Sequence, residues 1–203
     1  MPAFRIRKRP MIPLLQIPTA LVELGDADPA FAIACLSLAA LGARGTWRRA
    51  ALFVGIVLAA LALMVVSKVV FYALDPGFGK AAFHGGSGHA TRAFAMYPTF
   101  AWIVFAGSSR VRRLIGVGIG VLIAFDVTIA TIVTGMHTPA EAFLGALIGA
   151  AVPIAMTRSG ELKPLPDLLQ AALILCAIAL CATVPVMPYD FEKMIAHFAR
   201  HLR

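Results

Sequence analysis

Charge is scarce in this sequence. Only 14% of its 203 residues are Asp, Glu, Lys or Arg, roughly half the share usual in soluble domains. With 60% hydrophobic residues and a mean hydropathy of +0.86, that scarcity excludes an ordinary soluble domain. Acidic residues are the scarcer sign, 10 against 18 basic ones. The resulting charge of +8 does not describe a nucleic-acid surface, because the basic residues form short clusters between apolar runs, where they orient spans and meet anionic headgroups. Cysteine is rare too: Cys35, Cys176 and Cys181 lie inside apolar runs with no CxxC spacing, and read as core residues rather than a metal or redox centre. Internal repeats and low-complexity stretches are missing. No cleavable signal peptide is expected, since the basic start leads into a segment broken by Pro13 and Pro18.

What is present is a succession of apolar segments separated by polar breaks. It predicts one all-α domain over 1–203: a polytopic membrane helix bundle of about six transmembrane helices, with interfacial helices at both ends. Met11 to Leu24 falls short of the ~20 residues a crossing needs and reads as interfacial or re-entrant. Spans are predicted over 30–41 plus flanks, 50–74, 87–107, 114–134, 138–156 and 168–186, with a polar break at 25–29 and a connector over 158–167. In the tail, 189–203, Phe191, Met194, Ile195, Phe198 and Leu202 recur at helical spacing, the pattern of an interfacial amphipathic helix.

The basic clusters predict orientation. Arg44, Arg48 and Arg49, then Arg110, Arg112 and Arg113, then Arg158 and Lys163 fill the turns after spans one, three and five, whereas the intervening loops hold Lys80 alone. The latter loops are therefore expected on the side away from the cytoplasm. Arg5, Arg7, Lys8 and Arg9 oppose this for six spans, so either the first apolar stretch loops back or one span is miscounted.

Those outward loops carry two polar islands, His84-Gly85-Gly86-Ser87-Gly88-His89-Ala90-Thr91-Arg92 and Gly135-Met136-His137-Thr138-Pro139-Ala140-Glu141. In the first, Ser87 reads as an N-cap, leaving the amides of Gly88, His89 and Ala90 open to an anion such as phosphate. In the second, Thr138, Pro139 and Glu141 have the form of a capping box, so Glu141 has a purely structural reading beside any chemical one. Metal binding is not expected, as the islands hold no Cys and their histidines form no HxxxH pair. Two histidines beside a phosphate point instead to covalent catalysis by one ring and proton donation by the other. Replacing His137 is expected to stop turnover and spare the fold, a ring at the membrane edge contributing little to packing.

Lys68 followed, after six intervening residues, by Asp75-Pro76, then Gly86-Ser87-Gly88-His89, then Ala130-Thr131 and His137 with Glu141, resemble in order and spacing the three signatures of the type-2 phosphatidic acid phosphatase superfamily: K-x-x-x-x-x-x-R-P, P-S-G-H and S-R-x-x-x-x-x-H-x-x-x-D. The match covers 68–149. It implies an integral membrane phosphatase or phosphotransferase, needing no cofactor or metal, that acts on a lipid phosphate or isoprenoid diphosphate at the outer face of a bacterial-type inner membrane. It further implies that His137 takes the phosphoryl group, that His89 protonates the leaving oxygen, and that Glu141, in place of the family's Asp, orients His137. Lys68 and the amides around Ser87 and Gly88 would hold the nonbridging oxygens.

The departures from the family are Asp75 for its first Arg, Gly86 for Pro, and Ala130-Thr131 for Ser-Arg. Both phosphate-clamping arginines are thus replaced. Arg92 and Lys80 are the cations that could substitute, set against a snorkelling side chain and a solvated loop charge respectively. Asp126, in mid-span, reads either as directed to the site or as a buried polar contact between spans. Two other functions stand beside the enzyme: a non-catalytic relative that binds a lipid headgroup or serves as a membrane subunit of a lipid or glycan pathway, and a small transporter using Asp126, which has no repeat or second intramembrane charge to support it.

Overall fold

The computed structural model describes residues 16–74, 83–183 and 195 of the chain. Among the described residues there is no strand, and seven helices form: α1 Gln16–Glu23, α2 Ala27–Ala43, α3 Trp47–Leu74, α4 Gly88–Val104, α5 Arg110–Val133, α6 Pro139–Arg158 and α7 Asp167–Thr183. The amphipathic helix expected over 189–203 lies outside these residues apart from Ile195, and so does the loop that carries Lys80.

Three helices, α3, α5 and α6, are long and apolar enough to cross a membrane. At 1.5 Å per residue the 17 residues of α2, α4 and α7 each span roughly 26 Å, slightly under a hydrocarbon core of ~30 Å. Large apolar side chains face outward all along α3, α5, α6 and α7, among them Leu58, Leu122, Phe143 and Leu175. A water-soluble surface does not carry so continuous an apolar skin.

At the centre stands α4, enclosed by α2, α3, α5 and α6. Every residue from Gly88 to Val104 is buried except His89 and Arg92. Those two polar side chains sit in the first turn and just beyond it, where the bundle opens. Close packing on α4 uses small residues, as helix contacts in lipid do: on α6, Gly145 lies against the Ser87 backbone and Gly149 against the Thr91 carbonyl, with no room for a Cβ at either.

Helix ends move several expected boundaries. The break expected over 25–29 contracts to a turn at 24–26, because Pro29 falls in the first turn of α2, where a missing N–H costs nothing. The cluster Arg110, Arg112 and Arg113, expected as a loop, begins α5 behind the Ser109 cap. The arginines between α2 and α3 do more than face headgroups: Arg44 donates to the carbonyls of Lys163 (2.6 Å), Ala40 (3.0 Å) and Ile103 (2.8 Å), and Arg49 to that of Glu161. They tie the connector 160–166 to the ends of α2 and α4.

Candidate functional site

Helices α2, α4 and α6 begin at the same end of the bundle, and α3 and α5 finish there. The first island enters between α3 and α6. Gly85, at φ +91°, packs its backbone on the Cα of Lys68, so a side chain here would both clash and strain the turn. The next amide, Gly86 N–H, donates to Ser67 Oγ at 3.1 Å, and Ser87 N–H donates to the Glu141 carbonyl at 2.8 Å. Ser87 then caps α4 as expected, but its Oγ accepts from Ala90 N–H at 3.3 Å, so of the three amides expected to stay open that of Ala90 is occupied. Lys68 is buried, and its backbone forms the floor of this loop.

The second island follows a Schellman turn. Gly135, at φ +72°, stands one residue past the Thr134 cap, and the amides of Gly135 and Met136 return to the carbonyls of Ile132 and Thr131 at 3.0 Å each. His137 N–H also reaches the Thr131 carbonyl, at 3.2 Å. The capping box of α6 is complete: Thr138 Oγ1 accepts from Glu141 N–H at 3.3 Å, and Glu141 Oε2 accepts from Thr138 N–H at 2.9 Å.

Glu141 serves both readings the sequence offered. Its Oε2 also meets His137 Nδ1 at 3.3 Å, and its Oε1 accepts from His84 N–H at 2.6 Å, with the His84 ring nitrogen at 3.6 Å. One buried carboxylate therefore closes a helix, fixes an imidazole and ties the two islands together. His137 is itself 93% buried. The expectation of an edge ring that contributes little to packing is corrected: its side chain is enclosed and hydrogen-bonded.

His89 lies across from it. The two ring centroids are 5.8 Å apart with planes inclined at 56°, close enough for one small anion to touch both. His89 Nε2 meets Asp26 Oδ1 at 2.9 Å. With Nδ1 of His137 and Nε2 of His89 occupied, the nitrogens left for a ligand are Nε2 of His137 and Nδ1 of His89. Arg92 leans back along α4. Its Nε donates to the Gly25 carbonyl at 2.8 Å, and its Nη1 lies 3.1 Å from where a Gly88 Cβ would stand.

The structure thus brings together His89, His137, Glu141, Ser87, Gly88 and Arg92 and places Lys68 directly beneath their loop; Lys80 falls outside the described residues. Asp126 stands apart, in a shallow groove against α1 with Pro18, Leu21, Ile129, Ala130 and Val133. It is half-buried there, between α5 and α1. Sequence reasoning missed Asp26 and the His84 link. No sequence signal marked Asp26: that this N-cap residue makes no capping bond is visible only in the structure.

Comparisons with family models, with curated proteins and with solved structures return no match.

Proposed function

We propose that this chain is a multi-pass membrane phosphatase or phosphotransferase that uses a phosphohistidine intermediate on a lipid phosphate or isoprenoid diphosphate. The observation that carries the proposal is the convergence of two histidines, His89 in the first turn of α4 and His137 just before the cap of α6, each on a carboxylate. The ordered resemblance of 68–149 to the type-2 phosphatidic acid phosphatases supports the same reading. His137 Nε2 attacks phosphorus while Glu141 stabilises the positive charge that the ring acquires. His89 gives a proton to the leaving oxygen. The amides of Gly88 and His89, with Lys68 and Arg92, balance the charge on the nonbridging oxygens.

On this reading α2 to α7 make six crossings, α1 lies at the interface, and the basic turns mark the cytoplasmic end of an inner membrane. The site then faces outward, at headgroup depth. A second reading, a non-catalytic headgroup binder, is favoured by Asp75 and Thr131 standing at the two family arginine positions.

Purified protein in detergent, with a chelator present, is expected to release phosphate from members of a panel of lipid phosphates and isoprenoid diphosphates. Tight headgroup binding without release supports the binder instead. Activity lost to chelator and restored by a divalent cation contradicts the metal-free mechanism.

A further inference from the structure

Turn 24–26 between α1 and α2 contributes nothing to the motifs, yet α4 holds it at three points. Tyr97 Oη donates to the Leu24 carbonyl at 2.6 Å, Arg92 Nε to the Gly25 carbonyl at 2.8 Å, and His89 Nε2 meets Asp26 Oδ1 at 2.9 Å. Gly25 is seated against α4 so closely that a Cβ would come within 3.0 Å of His89 Cβ and 2.6 Å of Val127 Cγ1. The turn is therefore a fixed wall of the site. Its one acidic oxygen in reach of the site meets the ring that faces His137.

Asp26 occupies the N-cap position of α2, where an Asp ordinarily accepts from the amide two or three residues on. It makes no such bond. Its side chain is one-quarter exposed and that of His89 only 14% exposed, so the pair is shielded from competing water. A ring held through Nε2–H has a fixed orientation and a fixed tautomer, with Nδ1 left as its working nitrogen.

We propose that Asp26 is the positioning residue for His89 as general acid and base, an inference that rests on the phosphatase reading above. In the first step the N–P bond to His137 Nε2 forms and the P–O bond to the leaving group breaks, while the proton on His89 Nδ1 passes to the leaving oxygen. The Asp26 carboxylate stabilises the imidazolium before the transfer and retains Nε2–H after it. In the second step a water oxygen attacks phosphorus, the P–N bond breaks, and the proton of that water returns to His89 Nδ1. Each histidine thus works against its own carboxylate, Glu141 behind the nucleophile and Asp26 behind the acid.

The test uses the full-length protein and two phosphate monoesters of one headgroup size, an alkyl phosphate and p-nitrophenyl phosphate. Nitrophenolate leaves without a proton, whereas an alkoxide needs one. Asp26→Asn is expected to lower kcat for the alkyl ester on the order of a hundredfold, the scale of general-acid catalysis, and for the nitrophenyl ester by no more than about threefold. Asp26→Glu keeps the charge but displaces the oxygen, and is expected to show the same bias in weaker form; it carries the test if Asp26→Asn does not fold. Equal losses on both esters, or none on either, overturn the positioning role and leave the phosphatase reading standing. A wild-type protein that cleaves neither ester or any lipid phosphate overturns the phosphatase reading, and this inference with it.

Discussion

At the residue scale each histidine of the candidate site meets a carboxylate, His89 that of Asp26 and His137 that of Glu141. Glu141→Gln keeps an acceptor for the Thr138 and His84 amides but removes the charge behind His137. Phosphate release is expected to fall on the order of a hundredfold or more while the melting temperature drops only slightly. Glu141→Ala is expected to lose in addition about 1 kcal/mol of helix capping, read as a lower melting temperature. His137→Ala is expected to abolish turnover and, given its burial, to cost stability as well; His137→Gln separates the two effects by refilling the space. Arg92 tests the replaced clamp. Its planar fork stands beside Gly88 while Nε is spent on Gly25, so Arg92→Lys is expected to raise KM and lower kcat together, tenfold or more in kcat/KM. Full activity in Arg92→Lys would reduce it to a snorkelling cation. The capping box, the Ser87 cap and both site histidines were legible beforehand, because each is written in a few consecutive residues. Asp26 was not, since its role comes from a contact with a ring 63 positions along the chain and no local pattern encodes that.

At the scale of elements, placement of the first island depends on how closely α6 approaches α4. Gly145 and Gly149 are one helical turn apart and both face the α4 backbone. Gly145→Ala is expected to push Ser87 and its loop outward, lowering both activity and melting temperature. Gly55→Ala and Gly118→Ala, where a Cβ meets nothing within 4 Å, are expected to be neutral or slightly stabilising. Activity and thermal stability of the four variants, with Gly149→Ala as the fourth, settle the comparison. The sequence showed these glycines only as part of an apolar run, and helix ends were displaced where chemistry competed with composition. Arg110 joined α5 because Ser109 caps it, and Pro29 joined α2 because the first turn accepts a proline. Composition located the apolar segments; side-chain hydrogen bonds decided where the helices stop.

At the scale of the whole molecule the two ends of the bundle differ in kind. One is closed by arginines on carbonyls, at Arg44 and Arg49, and the other opens on histidines and carboxylates. In a chain cleared of Cys35, Cys176 and Cys181, a membrane-impermeant thiol reagent is expected to label Met136→Cys in intact cells and Glu161→Cys only after permeabilisation. The reverse pattern would place the site inside. Both positions are exposed.

The enclosure of α4 also bears on how the protein is made. On the six-crossing reading this helix enters the bilayer with His89, Thr91, Arg92 and Thr99 along it, and most of the partners that cover it, α5 and α6, are synthesised after it. Until α6 arrives, the Thr91 carbonyl and the Ser87 backbone that Gly149 and Gly145 cover have no helix against them. Nascent chains stalled before Pro139 are therefore expected to keep α4 beside the insertion machinery, detectable by crosslinking from a residue in that helix, and to release it to lipid only once α6 has been added.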